Sequence, residues 1–411
     1  MRIGGAKNAI LPIIAATLLT EGPTLLDGVP PLGDVFTMCR LVQGLGCAAE
    51  FTDARLRIVA GQGPGGDPPD ELARLMRASF LIAGPLLARR GYARLPLPGG
   101  CAIGARPIDL HLKGFAALGA RVTCEHGCIE VSAGRLLGAR IYLDFPSVTA
   151  TENIMMASCL AEGVTFIENA AGEPEVADLA DFLNAAGGRV RGAGTDLVRV
   201  EGVRSLHGAT HHIIPDRIEA GTFMVAAAIT GGDVMLENVV VEHLKPVVAK
   251  LRETGATVEE GGPGVLRVVG RGRPRAVDVK TLPHPGFPTD LQAPVTALLT
   301  VADGTSIITE TVFENRFLHV DELKRMGADI RIEGRSAIIR GVDYLTGAPV
   351  KATDLRAGAA LVLGGLVGSG TTEVTGVHHV QRGYADLDKK LRGLGAAIAR
   401  GGADIGGVSP S

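Results

Sequence analysis

A glycine signature recurs six times along this chain of 411 residues, and the repetition is the strongest constraint on its fold. In each copy Leu, Met, Ala or Thr comes before the glycine, and Ala, Cys or Gly follows it. Self-similarity at a nearly fixed period is typical of folds built from repeated units. The six glycines are Gly46, Gly119, Gly187, Gly255, Gly327 and Gly395, and successive copies are separated by 73, 68, 68, 72 and 68 residues.

Each unit is predicted to contain two helices and several strands. An amphipathic run precedes each signature glycine and a short alternating segment follows it, as in residues 321–326 and 328–332. Glycine commonly ends a helix in the left-handed conformation, so the signature indicates a helix that leads into a strand. A second recurring phrase is an apolar helix rich in small residues, followed by glycine and a strand, as in residues 297–308.

The second type of helix predicts how the units are arranged. Alanine and glycine allow neighbouring helices to approach closely, so we expect these helices to be buried and the sheets to lie outside them. We expect the six units to form two domains of three. A tandem solenoid with the same period is the alternative, because its units would stack in a line.

The composition excludes several classes of partner. Hydrophobic residues make up 46% of the chain, and Lys+Arg number 41 against 44 Asp+Glu, so no global basic field favours nucleic acid or an anionic membrane. The longest apolar stretches, such as residues 357–367, are shorter than the ~20 residues that span a bilayer. The start of the chain lacks a signal-peptide pattern, and all 6 cysteines fall in the first 160 residues. We therefore expect a cytoplasmic protein with reduced thiols.

Six short phrases occur in order along nearly the whole chain: GAKNA (residues 5–9), PGGCAIGARP (98–107), FPTD (287–290), FENR (313–316), TDLRA (353–357) and RGY (382–384). They resemble those of the UDP-N-acetylglucosamine 1-carboxyvinyltransferase family, and as a set they are far more specific than any one of them. Enolpyruvylshikimate phosphate synthases share the six-unit plan, but the cysteine of the second phrase and the uridine-site phrases speak against that branch.

The resemblance implies both a fold and a reaction. The fold is of the α/β class, an inside-out α/β barrel of two domains built from the six repeated units. The first domain would comprise residues 7–215 and the second residues 1–6 and 216–411, with the active site in the cleft between them. The reaction is transfer of the enolpyruvyl group of phosphoenolpyruvate to the 3′-hydroxyl of UDP-N-acetylglucosamine with release of phosphate. This reaction is the first committed step of peptidoglycan precursor synthesis.

Such a reaction requires a proton donor and a carboxylate base, because the double bond is protonated at its methylene carbon while a sugar hydroxyl attacks the neighbouring carbon. By the resemblance, Cys101 is the general acid and the thiol that fosfomycin-type epoxides alkylate. Asp290 is the general base that faces the sugar hydroxyl. From the sequence alone, a lone cysteine such as Cys101 is more often an inert small hydrophobe. The spacing alone supports Asp290 or Thr289 as the N-cap of the following helix about as well as Asp290 as the base.

Phosphoenolpyruvate is a small, multiply charged anion, so the site also needs several cations. Arginine suits this task because its planar guanidinium can bind a phosphate or a carboxylate through two parallel hydrogen bonds. Each cation taken alone could be a solvated surface charge. The resemblance implies that Lys7, Arg106 and Arg382 bind the phosphate, and that Arg316 and Arg356 bind the carboxylate.

Further polar residues complete the predicted site. Asn8 would hydrogen-bond the reacting groups, and Asp354 would orient the guanidinium of Arg356 or accept a proton. Asp34 and Glu314 are additional candidates. No metal or cofactor is required, and the alternating cysteines and histidine of residues 124–128 are predicted to form a hairpin instead of a zinc site.

A third group of residues would surround the uridine nucleotide. Two departures from the family pattern put the acceptor in question: Thr149 stands in place of a glycine, and Gln381 in place of an aspartate. They favour the alternative of a paralogous enzyme that acts on another uridine nucleotide in secondary metabolism. The resemblance places Arg77, Arg106, Pro107, Ile108, Asp109, Leu110, Ser147, Val148, Asp290 and Val312 around UDP-N-acetylglucosamine.

Two more alternatives remain open. The protein could be a catalytically silent regulator that binds a UDP-sugar, although a binder has no need of a proton donor. In the family a further strand precedes the first phrase, whereas Met1 lies six residues before Lys7 in this sequence. Either the true start lies upstream, or one sheet of the second domain exposes an edge.

Overall fold

The structure is a computed structural model that describes residues 1–61, 66–97 and 108–401. Three residues of the predicted site, Cys101, Arg106 and Pro107, lie outside the described residues. The six signature glycines all adopt left-handed backbone, with φ between 89° and 97°. Each lies two residues beyond the last residue of a helix, so the predicted helix ends are confirmed.

The described residues contain both 3-10 helices and α-helices. Short 3-10 helices cover residues 17–19, 77–82, 241–244 and 289–291. Among the described residues, no helix combines the length and apolar character needed to cross a membrane. The α-helices of the described residues are α1 (Lys7–Ala16), α2 (Gly33–Gly44), α3 (Asp70–Leu75), α4 (Ala83–Arg90), α5 (Asp109–Ala117), α6 (Val148–Ser158), α7 (Pro174–Ala185), α8 (Arg217–Thr230), α9 (Lys245–Glu253), α10 (Gln292–Leu299), α11 (His319–Arg325), α12 (Leu355–Val367), α13 (His378–Gln381) and α14 (Leu387–Gly393).

The strands are short and form several small sheets. In the first five units a central strand pairs antiparallel with the second strand of the hairpin that follows it. The strands are β1 (Thr20–Asp27), β2 (Ala48–Thr52), β3 (Arg55–Ala60), β4 (Tyr92–Pro96), β5 (Arg121–Glu125), β6 (Cys128–Ser132), β7 (Arg140–Tyr142), β8 (Val164–Glu168), β9 (Val190–Arg191), β10 (Leu197–Glu201), β11 (Leu206–His207), β12 (Thr210–His212), β13 (Asp233–Glu237), β14 (Thr257–Gly262), β15 (Val265–Val269), β16 (Val279–Lys280), β17 (Thr305–Thr309), β18 (Asp329–Glu333), β19 (Ser336–Arg340), β20 (Leu345–Thr346), β21 (Pro349–Lys351), β22 (Gly368–Ser369) and β23 (Glu373–Thr375).

The five complete sheets follow one strand order. It reads first, third, second, as in β1-β3-β2, β4-β6-β5, β8-β10-β9, β13-β15-β14 and β17-β19-β18. The predicted hairpin at residues 124–128 is confirmed, because Glu125 pairs with Cys128 across the turn from β5 to β6. In the sixth unit, within the described residues, β22 and β23 pair only with β20 and β21.

The units close on themselves instead of stacking in a line. Strand β12, from the third unit, pairs in parallel with β1 of the first unit. A solenoid would leave the first and third units apart, so that alternative is wrong. The same closure brings the apolar helices together, and every residue of α10 is buried.

The buried apolar side chains form two separate cores. The first core is formed by side chains from residues 6–213 and includes α1, α4 and α6. The second core is formed by Ile3 and side chains from residues 218–391 and includes α8, α10 and α12. Helices pack closely within each core: a Cβ atom on Gly114 in α5 would lie 2.2 Å from Cδ1 of Ile154 in α6. The two cores support the proposed division into domains of residues 7–215 and of residues 1–6 with 216–411.

The chain passes between the two cores twice, and the two segments lie side by side. Gly5 and Pro215 form an antiparallel bridge, Ala6 N donates to Ile214 O at 2.7 Å, and Asp216 N donates to Gly4 O at 2.9 Å. The Asp216 side chain caps α8 and also accepts a bond from Lys7 N at 3.3 Å. Helices α1 and α8 therefore both begin at this crossing, which places Lys7 between the cores.

Candidate active site

Asp34 joins two of the predicted phosphate-binding cations. Its Oδ2 lies 3.0 Å from Nζ of Lys7, and its Oδ1 lies 2.8 Å from Nε of Arg382. Lys7 opens α1, Asp34 lies in the first turn of α2, and Arg382 directly follows α13. Residues from both cores thus meet at one buried carboxylate.

A second carboxylate, Asp290, joins the two arginines predicted to bind a substrate carboxylate. Its Oδ1 lies 2.6 Å from Nη2 of Arg316, and its Oδ2 lies 2.7 Å from Nη2 of Arg356. Nδ2 of Asn8, next to Lys7, donates to the same Oδ2 at 3.4 Å. The side chains of Arg316 and Arg356 are only 6% and 4% exposed, so water cannot solvate their charges. Asp290 balances these charges instead.

These contacts shift the pKa values of the site. Burial alone would raise the pKa of Asp290, but the guanidiniums of Arg356 and Arg316 outweigh it and hold the pKa well below its usual range. The pKa of Asp34 is lowered in the same way, because Lys7 and Arg382 outweigh the effect of burial. Burial lowers the pKa of Lys7, although Asp34 opposes that shift. In this arrangement Asp290 is therefore a weak base.

The local contacts decide between the two interpretations of Asp290. It lies in a 3-10 turn before α10, and neither Pro288 nor Leu291 provides a side-chain cap there. The carboxylate of Asp290 bonds to guanidiniums instead, so the N-cap interpretation is wrong. Asp354 is a helix cap: its Oδ1 accepts bonds from the backbone N–H groups of Arg356 at 2.8 Å and Ala357 at 3.0 Å. Asp354 thus places Arg356 by fixing the start of α12.

Aromatic rings cover both guanidiniums of the Asp290 cluster. Arg356 lies over Tyr384 and Arg316 over Phe313, each 5.3 Å from the ring centre. Nε of Arg316 and both Nε and Nη1 of Arg356 are buried and have no partner within the described residues. Buried donors without acceptors are costly, so these groups favour an oxyanion as a ligand.

Most of the predicted nucleotide residues that the structure describes lie at the starts of two neighbouring helices. Asp109 and Leu110 open α5, Ser147 caps α6, and Val148 is its first residue. Contacts between residues 111 and 149 and between 114 and 154 show that the two helices run side by side in the same direction. Arg77 opens the 3-10 turn at residues 77–82, whereas Val312 lies in the loop after β17, on the other core.

Thr149, one of the two departures from the family pattern, contacts a buried histidine. Its Oγ1 lies 3.2 Å from Nε2 of His111, whose Nδ1 lies 3.1 Å from Nδ2 of Asn153. The amide of Asn153 is oriented by Gly84 N and Phe80 O, so its NH₂ group donates to His111. Burial lowers the pKa of His111 to about 3, so the neutral ring carries its proton on Nε2 and donates it to Thr149.

We expect Thr149→Val to lower the free energy of unfolding by about 1 kcal/mol, because the buried Nε2–H of His111 loses its acceptor. Thr149→Ser keeps the hydroxyl and should lose much less. Urea unfolding of the two variants and the parent protein measures this difference. An equal loss in both variants would show that the hydroxyl is not what His111 needs.

Comparison with known proteins identifies the relatives of the chain. A family model described as EPSP synthase (3-phosphoshikimate 1-carboxyvinyltransferase) matches residues 1–391. The UDP-N-acetylglucosamine 1-carboxyvinyltransferase 1 of Caldanaerobacter subterraneus is 60% identical over 402 residues, which cover 97% of this chain and 96% of that protein. The UDP-N-acetylglucosamine 1-carboxyvinyltransferase 2 of Carboxydothermus hydrogenoformans is 58% identical over 401 residues, with the same coverage. The chain belongs to the UDP-N-acetylglucosamine 1-carboxyvinyltransferase family.

Solved structures confirm the fold predicted for this carboxyvinyltransferase family member. The enolpyruvyl transferase NikO from Streptomyces tendae superposes with a TM-score of 0.86 at 23% identity, covering 96% of this chain and 94% of that one. EPSP synthase from Acinetobacter baumannii superposes with a TM-score of 0.73 at 22% identity, covering 96% and 95%. At these identities the likeness supports the enolpyruvyl transferase fold alone.

Two buried polar residues of this carboxyvinyltransferase family member, His111 and Glu310, were not predicted from the sequence. His111 follows the predicted uridine stretch directly, and Glu310 follows β17. Ser306 and Ile308 of that strand are buried, and Glu310 continues their alternation. A carboxylate at an inward-facing position was the signal in the sequence that could have identified Glu310.

Proposed function

We propose that this protein transfers the enolpyruvyl group of phosphoenolpyruvate to the 3′-hydroxyl of UDP-N-acetylglucosamine and releases phosphate. The reaction would be the first committed step of peptidoglycan precursor synthesis, carried out in the cytoplasm. Relatives that are 56–60% identical over 97% of the chain carry the name of this activity. The observation that carries the proposal is the arrangement of four cations around Asp34 and Asp290.

The two clusters match the two anionic groups of phosphoenolpyruvate. Lys7 and Arg382, together with Arg106, would bind the phosphate, and Arg316 and Arg356 would bind the carboxylate. The unpaired N–H groups of the two buried guanidiniums support the second assignment. Guanidinium forks bind carboxylates bidentately, which fixes the orientation of the ligand as well as its position.

Binding of the substrate carboxylate would also activate Asp290. With two guanidiniums as counter-ions its pKa is too low for a general base. Once the substrate takes up part of that positive charge, the pKa of Asp290 rises toward the range in which it can accept the proton of the sugar hydroxyl. Asn8 contacts the same carboxylate and would hold it in place.

Cys101 would supply the proton that the reaction needs at the other end of the double bond. The thiol protonates the methylene carbon, the sugar oxygen bonds to the neighbouring carbon, and a tetrahedral phospholactoyl intermediate results. The methyl group then returns a proton, the bond to the phosphate oxygen breaks, and the enol ether is left on the sugar. The cations around Asp34 would balance the charge of the departing phosphate.

The nucleotide would bind across the starts of α5 and α6. Ile108, Leu110 and Val148 are partly buried on the first core and would offer apolar contacts to the base. Asp109 would read the edge of the uracil. Backbone N–H groups at the start of α6, beside Ser147, would meet the diphosphate. Arg77, Pro107 and Val312 complete the proposed set.

One experiment tests this function and the alternative acceptors together. Purified protein is mixed with phosphoenolpyruvate and UDP-N-acetylglucosamine, and phosphate release is followed, with other uridine nucleotides in parallel and Cys101→Ala as the control. Release that needs UDP-N-acetylglucosamine and is lost in the control supports the proposal. Release only with another nucleotide would assign the chain to the paralogous activity and would direct attention to Thr149 and Gln381. No release with any acceptor would favour the silent regulator.

A further inference from the structure

Glu310 is a fully buried carboxylate for which the proposed chemistry has no direct use. Its Oε1 accepts hydrogen bonds from Oγ1 of Thr281 at 2.8 Å and from the backbone N–H groups of Val312 at 2.8 Å and Phe313 at 3.1 Å. Its Oε2 accepts one from Oγ1 of Thr289 at 2.8 Å. A carboxylate this deep in a protein is costly unless donors fill its acceptor positions, and here four donors do so.

The bond to Thr289 leads directly to the predicted site. Oγ1 of Thr289 also accepts a bond from Nη1 of Arg316 at 2.9 Å. Because the arginine can only donate, the hydroxyl proton of Thr289 points to Glu310. The other terminal nitrogen of Arg316, Nη2, reaches Asp290 at 2.6 Å. An ordered chain of hydrogen bonds thus runs from Glu310 through Thr289 and Arg316 to Asp290.

Glu310 also acts on Arg316 from a second side. The two backbone N–H groups that it binds belong to Val312 and Phe313, in the loop that leads to Arg316. The ring of Phe313 lies against the guanidinium. One carboxylate therefore fixes both the hydroxyl that receives Arg316 and the loop whose ring covers it.

We propose that Glu310 is a positioning residue that sets Arg316 for the carboxylate of phosphoenolpyruvate, an inference that rests on the proposed function. This role requires both carboxylate oxygens of Glu310 to accept hydrogen bonds. In Glu310→Gln the amide NH₂ either faces Thr289, whose hydroxyl proton then has no acceptor, or faces the three donors at the other oxygen. In the first orientation the chain of hydrogen bonds to Arg316 loses its direction, and in the second the loop at Val312 and Phe313 loses its acceptor. The volume of the side chain is kept in both.

The two oxygens of Glu310 allow a structural role to be separated from a positioning role. Thr289→Val removes only the link to Arg316. Thr281→Val removes a donor on the other oxygen, and with it the hydroxyl that accepts a bond from Thr311 N at 3.0 Å. Both threonines are β-branched residues near Glu310, so the second variant is a matched control for the first.

The experiment measures the KM for each substrate, the kcat and the melting temperature of these variants. We expect Glu310→Gln and Thr289→Val to raise the KM for phosphoenolpyruvate by about 10- to 100-fold, since a misplacement of about 1 Å can cost about 100-fold. The KM for UDP-N-acetylglucosamine should change little in Thr289→Val, which leaves the bond from Val312 N to Glu310 in place. Thr281→Val should lower the melting temperature without a selective rise in the KM for phosphoenolpyruvate. Thr289→Ser keeps the hydroxyl, so its KM for phosphoenolpyruvate should be close to that of the parent protein.

A second readout keeps the inference apart from the proposed function. Phosphoenolpyruvate that binds the folded protein raises its melting temperature. We expect this rise to be at least halved in Glu310→Gln and Thr289→Val but kept in Thr281→Val, whichever acceptor the enzyme uses. Equal rises in all proteins would overturn the inference, as would a parallel increase in both KM values that follows the loss of stability. A parent protein that binds phosphoenolpyruvate but releases no phosphate would refute the proposed function alone.

Discussion

Asp290→Asn is expected to lower the rate of phosphate release by about 10²- to 10⁴-fold, the usual contribution of a positioned general base. The amide has nearly the same shape as the carboxylate but cannot accept the proton of the sugar hydroxyl. Steady-state kinetics with saturating substrates measures the effect as a fall in kcat. A variant that keeps a tenth or more of the parent rate would exclude Asp290 as the base.

The same substitution should destabilise the protein by about 3 kcal/mol, because it leaves Arg316 and Arg356 buried without a counter-charge. Asp233→Asn is the matched control, since Asp233 pairs with Arg267 at a surface where the two side chains are 50% and 47% exposed. Exposed pairs of this kind contribute about 0–1 kcal/mol. Phosphoenolpyruvate should raise the melting temperature of Asp290→Asn more than that of the parent protein, because it restores the missing negative charge.

The pH dependence of this stability difference has a defined sign. The pKa of Asp290 is held well below its ordinary value, so its contribution is complete above the unfolded pKa of about 4. The contribution is lost only as the pH falls through the lower folded pKa. The gap between the parent protein and Asp290→Asn should therefore be constant from neutral pH to about 5 and narrow in stronger acid. A gap that closes near neutral pH would contradict the assigned ion pairs.

Arg217→Met is expected to lower the free energy of unfolding by about 3–5 kcal/mol. The guanidinium of Arg217 binds both oxygens of Glu175, at 2.9 Å and 3.2 Å, and the two side chains are only 11% and 3% exposed. Glu175 lies at the start of α7 in the first core, and Arg217 opens α8 in the second. Burial and the nearby charges of Glu175 and Glu173 raise the pKa of Glu152 well above its usual value, so this region already holds excess negative charge.

A double-mutant cycle separates the lost pair from the lost packing. If Glu175 is left buried without its partner in Arg217→Met, then adding Glu175→Gln should restore part of the stability, and the two single losses should exceed the loss in the combined variant. Arg140→Met, which breaks the more exposed pair with Glu168, serves as the control and should change stability by about 0–1 kcal/mol. Additive losses across the cycle would show that the pair contributes little beyond its packing.

The repeated units and the buried helices could be predicted because their signals are local. A glycine such as Gly327 ends a helix through its own backbone conformation, so a few residues of sequence suffice to identify it. The role of Asp290 could not be settled in this way, because a capping aspartate and an active-site carboxylate look alike in the surrounding sequence. Its partners Arg316 and Arg356 lie 26 and 66 residues away, and only the fold brings them together.

Partners that are distant in the sequence also explain why the role of Thr149 stayed undecided and why Glu310 was not predicted. Thr149 could be interpreted only as a lost glycine, because its partner His111 lies 38 residues earlier in the chain. Glu310 stands at an inward-facing position of a strand, yet nothing in the sequence near it shows that Thr289, 21 residues before it, donates to it. The pattern of burial was predictable, whereas the partners of buried polar groups depended on the closure of the units.

The paired crossing segments near Gly5 and Pro215 also determine how the two halves of the molecule can move. Two short adjacent segments resist sliding and separation but allow rotation, so one core would swing against the other about this line. Lys7 follows the crossing directly and would stay nearly still during such a swing. Asp34 and Arg382 belong to opposite halves, and their ion pair would have to break as the halves part. If Lys7 and Arg382 bind the phosphate as proposed, Lys7 would keep its place beside that anion throughout such a swing, while Arg382 would reach the anion only when the halves are together.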